Sequence, residues 1–267
     1  MLASRYKLFG TWKNKLTYAA TMNLSRYICD YVSDLTLPFE LSFCPTMVAL
    51  KAVANQLRGK VALTAQNLVW DDSVSFTGET SGSILQEIGC KSVIIGHSER
   101  RLYLGEDDAM VAKKVSTATK HGLVPVVCIG ETYDDYVLGR SNEVVQSQMK
   151  AVLEVIGTPH PHSRFVIAYE PAWAISTSRE ALKCEPDEAN AKHILIRRII
   201  ESELGRAIAE RVSVIYGGSV TPGNAAQYFG MSDIDGGLVG TASQSQESFR
   251  QLIDASRTVF ARKATTV

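Results

Sequence analysis

The sequence predicts an α/β protein, a (β/α)8 barrel formed as a single domain over residues 1–267, and three observations lead there. Short β-rich apolar runs recur roughly every 20 to 40 residues along the whole chain. Segments with helical periodicity separate them, each long enough to cross back over a sheet. No composition shift, low-complexity tract or Pro/Ser-rich linker divides the chain, so all of these units must share one core.

The predicted strands are residues 6–12, 40–45, 61–67, 92–96, 124–130, 165–170, 212–216 and 237–240. Between them, residues 107–120 place Met110, Val111, Val115 and Ala118 at helical spacing, and 187–204 do the same with Ala191, Ile194, Leu195 and Ile199. Pro186-Asp187-Glu188 puts acidic residues in a first turn, and Thr221-Pro222 offers an N-cap followed by proline at the first helical position. Gly122 and Gly205 supply matching stop signals. Alternating strands and helices argue a parallel sheet. With eight strands a closed barrel leaves no exposed edge, whereas the other possibility, an open doubly wound sheet, leaves two.

Composition narrows the function classes. A chain that is 45% hydrophobic and 21% charged buries a core large enough to need no staples. Lys plus Arg and Asp plus Glu both number 28, so no global field attracts nucleic acid or an anionic membrane. Cys29, Cys44, Cys90, Cys128 and Cys184 are odd in number and contain no C-x-x-C pair, so they read as reduced, mostly buried residues of a cytoplasmic protein. Residues 1–7 lack the order of a signal peptide, and no apolar run approaches the ~18 residues of a membrane span, so a soluble protein that is not exported is expected.

In such barrels reactive groups gather at the carboxyl ends of the strands. There the sequence places Trp12-Lys13-Asn14 after the first strand, Gly96-His97-Ser98-Glu99-Arg100-Arg101 after the fourth, and Tyr169-Glu170-Pro171-Ala172-Trp173-Ala174-Ile175 after the sixth. Tyr216-Gly217-Gly218-Ser219 follows the seventh and Gly240-Thr241-Ala242-Ser243 the eighth. Glu is a candidate general base, His a group able to shuttle a proton between oxygens, and Lys a fixed cation for an oxyanion and a phosphate. Backbone N–H groups at Gly217, Gly218, Gly240 and Thr241, opening short helices, are a candidate phosphate cradle. Taken singly, each has a bland reading: a solvated Lys, a structural His, a turn Glu, a permissive Gly pair. Their joint placement on one rim is what the bland readings do not explain.

Gly-His-Ser-Glu-Arg-Arg, Ala-Tyr-Glu-Pro-x-Trp-Ala-Ile, Tyr-Gly-Gly-Ser-Val and Cys128-Ile129-Gly130-Glu131 together resemble the triosephosphate isomerase family. Ala65-Gln66-Asn67, Phe76-Thr77-Gly78-Glu79 and Asp235-Gly236-x-Leu238-Val239-Gly240 extend the likeness, which runs from about Lys7 to Arg262. The resemblance implies a TIM barrel acting as an aldose-ketose isomerase in glycolysis and gluconeogenesis on a small sugar phosphate, as a homodimer without metal or organic cofactor. It implies Glu170 as the base, His97 as a neutral electrophile and Lys13 as a cationic one. Thr11, Ser176, Ser219, Leu238, Gly240 and Thr241 would contact substrate or phosphate, supported by Glu99 and Ile175. Pro171, Ala172, Trp173, Ala174, Ile175 and Ser176 would form a lid, and Phe76 and Thr77 would reach a neighbouring subunit.

The chain departs from that pattern at several positions. Thr11 stands where the family has Asn before Trp-Lys, and Asn14-Lys15 where it has Met-Asn. Ser176 and Ser178 replace two lid glycines, which restricts φ at both, and Thr241 replaces the second glycine after the last strand. A sister branch that isomerises tetrulose (erythrulose) phosphates departs at two of the same places and is the alternative substrate reading. A catalytically inactive barrel with a binding role is the alternative of a different class.

Overall fold

The computed structural model describes residues 5–57, 59–157, 164–175, 178 and 182–265. Its strands are β1 (Lys7–Thr11), β2 (Glu40–Cys44), β3 (Val61–Ala65), β4 (Ser92–Ile95), β5 (Val124–Ile129), β6 (Val166–Tyr169), β7 (Ser213–Tyr216) and β8 (Gly236–Val239). All pair in parallel in sequence order, and β8 closes on β1 with Lys7 opposite Gly236 and Gly10 opposite Val239. Seven of the predicted runs contain one of them, and the eighth, 237–240, overlaps β8, which starts one residue earlier at Gly236. The helices are α1 (Tyr18–Val32), α2 (Leu50–Ala54), α3 (Gly82–Ile88), α4 (Ser98–Leu104), α5 (Asp108–Lys120), α6 (Tyr133–Val137), α7 (Ser141–Ile156), α8 (Pro186–Leu204), α9 (Arg206–Ala209), α10 (Ala225–Phe229) and α11 (Gln246–Thr265).

The strands read as apolar runs because both faces are buried. One set of alternate residues, including Phe9, Cys44, Ile94, Val126, Cys128, Val166, Ile215 and Leu238, fills the barrel. The other set, including Leu8, Phe43, Val93, Val127 and Ile167, packs outward under the helices. The interior also holds a hydroxyl chain, Ser42 to Thr64 to Ser92, with both steps at 2.6 Å. Closure demands a bare backbone at Gly236, where an added Cβ would lie 1.7 Å from the Lys7 carbonyl oxygen. All five cysteines are buried, and no disulfide joins them among the described residues.

Helix signals worked where one residue sets them. Asp107 caps α5 by accepting the Met110 N–H, and Gly122 takes φ +67 just past its end. Pro186 opens α8 with Asp187 and Glu188 in its first turn. The Thr221-Pro222 start is corrected. α10 begins at Ala225, because Asn224 Oδ1 accepts the Thr221 N–H at 2.7 Å and folds the intervening residues into a turn. Gly217 and Gly218 therefore open no helix, whereas Gly240 does precede a one-turn 3-10 helix, Thr241–Ser243.

Candidate active site

Lys13 leaves β1 with φ +49, a conformation a lysine adopts only when its surroundings impose it. Gln66 imposes it, its Nε2 donating to the carbonyls of Lys13 at 3.1 Å and Cys44 at 2.8 Å. The side chain so placed donates from Nζ to Glu99 Oε1 at 2.6 Å. His97 sits at the N-cap of α4, its Nδ1 accepting the Glu99 N–H at 3.2 Å. That bond leaves the ring proton on Nε2, which faces Glu170 Oε1 at 2.9 Å. Glu170, 3% exposed, also accepts the Ser98 N–H at 2.7 Å through Oε2.

Burial opposes charge on both members of this pair, and their proximity overrides it. For His97, desolvation pulls the pKa down, but the Glu170 carboxylate and its hydrogen bond prevail and raise it. For Glu170, desolvation pushes up, but His97, the Ser98 N–H and Lys13 prevail and lower it. A carboxylate gripped this way is a poor base. It becomes a strong one on turning away from these donors into an apolar setting.

Thr11, Lys13, His97, Glu170, Ile175, Gly217, Gly218, Leu238 and Gly240 line one cavity of about 20 Å3, room for a single water. Of the predicted residues, Thr11 is buried there at 4% exposure, while Thr241 stands exposed at the rim. Ser219 donates from both N (3.2 Å) and Oγ (3.0 Å) to the Ala174 carbonyl, so its donors are engaged with the segment after β6. The Gly217 N–H is spent on the Tyr169 carbonyl at 2.7 Å, which removes it from the anticipated phosphate cradle. Ser176 lies outside the described residues. Phe76 and Thr77 are exposed at the tip of the connection after β3. A larger groove, about 1010 Å3, lies at the amino ends of the strands, but its cations Lys60, Lys91 and Arg164 are exposed and converge on no buried polar group.

Glu131, fully buried, accepts from Trp173 Nε1 at 3.0 Å and from the Tyr169 hydroxyl at 3.1 Å, and its carbonyl accepts the Ala172 N–H at 3.0 Å. Tyr136 stacks on Trp173 with centroids 4.1 Å apart. Pro171, Ala172, Trp173 and Ala174 are thereby fastened to the end of β5. Sequence reasoning quoted Glu131 and Gln66 as parts of motifs and gave neither a task. The signal was a carboxylate and an amide directly after buried strands, where burial obliges each to find partners.

A sequence profile of the family described as Triosephosphate isomerase matches residues 7–256. A protein of Symbiobacterium thermophilum named triosephosphate isomerase is 45% identical over 84% of this chain and 86% of its own length. Proteins of the same name from Alkalilimnicola ehrlichii and Magnetococcus marinus are 39% and 38% identical, covering 93% and 94% of this chain and 97% and 98% of their own. Barrel and relatives together define the class, a (β/α)8-barrel isomerase. Within that class the chain belongs to the triosephosphate isomerase family.

Proposed function

We propose that the chain, as a single barrel domain, interconverts dihydroxyacetone phosphate and D-glyceraldehyde 3-phosphate by proton transfer through an enediol(ate). The observation that carries this reading is the convergence of Lys13, His97 and Glu170 on one cavity, with 2.6 and 2.9 Å contacts linking them through Glu99 and to each other. The family's mechanism, a Glu base paired with a neutral His, is carried over to these positions. Glu170 releases the Ser98 N–H and His97, swings between Ile175 and Leu238, takes a proton from one carbon and returns it to the adjacent carbon. Desolvation there raises its basicity. His97, with its proton on Nε2, polarises the substrate oxygens and passes the proton between them, and Lys13 balances the developing negative charge.

The phosphate rests at the start of the 3-10 turn formed by Gly240 and Thr241. Ser219 joins it after releasing the Ala174 carbonyl, and residues 171–176 close over the site as a lid. The reaction needs a base and electrophiles and no metal or organic cofactor. Assembly is a cytoplasmic homodimer in which Phe76 and Thr77 enter the neighbouring subunit near its Lys13, burying more than about 1,000 Å2.

The three relatives described above carry the triose name and lend no support to a tetrulose substrate. Purified protein incubated separately with dihydroxyacetone phosphate and with erythrulose phosphates, each followed by a coupled assay, tests the reading. A greater specificity constant for the triose is expected. A greater one for the tetrulose overturns the substrate, and turnover of neither overturns the enzyme reading.

A further inference from the structure

The connection from β3 to α3, which carries Phe76 and Thr77 at its tip, is fastened along its neck to α5 and its C-cap residue. Lys114 Nζ donates to Asn67 Oδ1 at 2.7 Å, and the Thr117 hydroxyl donates to the Trp70 carbonyl at 2.7 Å. One turn further along, His121 Nε2 pairs with Asp72 Oδ2. Lys114 and Thr117 share one face of α5, and His121 is the residue that caps its C-terminus.

The three fasteners differ in what else they do. Lys114 is fully buried and also ion-paired with Glu106, which Arg100 holds from α4, so it belongs to the core. Thr117 is buried as well. His121 and Asp72 are partly exposed, with side chains 18% and 19% accessible. Their pairing sits where the neck rejoins the barrel. Asp72 Oδ1 accepts the Gly82 N–H at 3.2 Å, and the His121 ring lies so close over Gly82 that an added Cβ would be 2.5 Å from its Cδ2. The other strand of the neck is held by the Val69 N–H on the Thr80 carbonyl at 2.9 Å, and Trp70 carries the direction outward by packing on Phe76 with centroids 5.0 Å apart.

We propose that His121 is a positioning residue for assembly. Acting through Asp72, it sets the angle at which the Phe76 and Thr77 tip leaves the barrel, and so the affinity with which two copies of this chain associate, although it lies in neither the active site nor the tip. The inference rests on the two-fold assembly proposed above. A bound partner must find the tip already in place, because ordering a loose loop at the moment of association subtracts from affinity.

The test is a sedimentation dilution series on the wild type, His121→Leu, His121→Gln and Asp72→Asn, with circular dichroism and melting recorded on each. The wild type is expected to be a dimer. His121→Leu and Asp72→Asn should each raise the dissociation constant about tenfold or more while the helical spectrum is kept, with activity per chain falling on dilution and returning at high concentration. Glutamine places an amide nitrogen near the position of Nε2 and still donates to Asp72, so His121→Gln should stay within about threefold of the wild type. A dimeric wild type whose His121→Leu variant associates equally tightly overturns the inference alone, as does a His121→Gln variant as weak as His121→Leu. Should His121→Leu fail to fold, Asp72→Asn decides from the loop side, and unchanged association there is equally fatal. A wild type that is monomeric and fully active at every concentration overturns the assembly reading and this inference together.

Discussion

His193 makes acid stability a quantitative matter. It is fully buried on α8 among Tyr169 and Tyr216, with its Nδ1 bonded to the Ala189 carbonyl at 2.7 Å. Burial, the largest influence, lowers its pKa from 6.5 to about 4. Above pH 6.5 both folded and unfolded chains carry the neutral ring, and the group leaves stability unaffected. Below 6.5 the unfolded chain takes up a proton that the folded chain refuses, so stability falls as pH falls, by roughly 1.4 kcal/mol per unit, until the folded ring titrates near 4. Over that window the loss reaches about 3 kcal/mol, a large share of the ~5–15 kcal/mol of a whole domain. Other groups titrate in the same range, so the measurement is a difference. Urea midpoints of the wild type and of His193→Asn, whose amide stays near the Ala189 carbonyl, are compared from pH 7.5 to 4.5. The variant is expected to start less stable, by a cavity cost independent of pH, and to close about 2 kcal/mol of that gap by pH 5. Parallel curves for the two proteins would refute the argument that the ring is held neutral by burial.

Three further outcomes are expected. Glu170→Asp withdraws the carboxylate by about 1 Å and should lower kcat on the order of a hundredfold or more with the melting temperature nearly unchanged; near wild-type turnover removes Glu170 as the base. Trp173→Phe deletes the donor to buried Glu131 and should cost about 1–3 kcal/mol in urea unfolding, together with a change in kcat; an unchanged midpoint means that the bond does not anchor the segment after β6. Dialysis against EDTA should leave activity intact, and activity lost to the chelator and regained with a divalent ion contradicts a mechanism built on side chains alone.

Eight strands, their parallel sense and the rim on which the reactive groups sit were legible in the chain. Runs such as Val124 to Ile129 are apolar throughout because both faces of a barrel strand are buried, and that pattern is local. Lys13, His97 and Glu170 were legible for a related reason, since each follows its strand within two residues and inherits the strand's direction. What the chain left open is how groups distant in sequence share hydrogen bonds. Ser219, read as a phosphate donor, spends both donors on the Ala174 carbonyl, and Gly217 spends its N–H on Tyr169. Gln66 and Glu131 looked like motif letters until the fold showed Gln66 holding Lys13 in a left-handed turn and Glu131 gathering Trp173 and Tyr169. Glu170 itself, read as a general base, rests against His97 and the Ser98 N–H, where its pKa is lowered. Apolar periodicity belongs to neighbours along the chain, so sequence alone determined the barrel and its rim. Satisfaction of buried polar groups depends on partners dozens of residues away, and only the closed tertiary structure decides who they are.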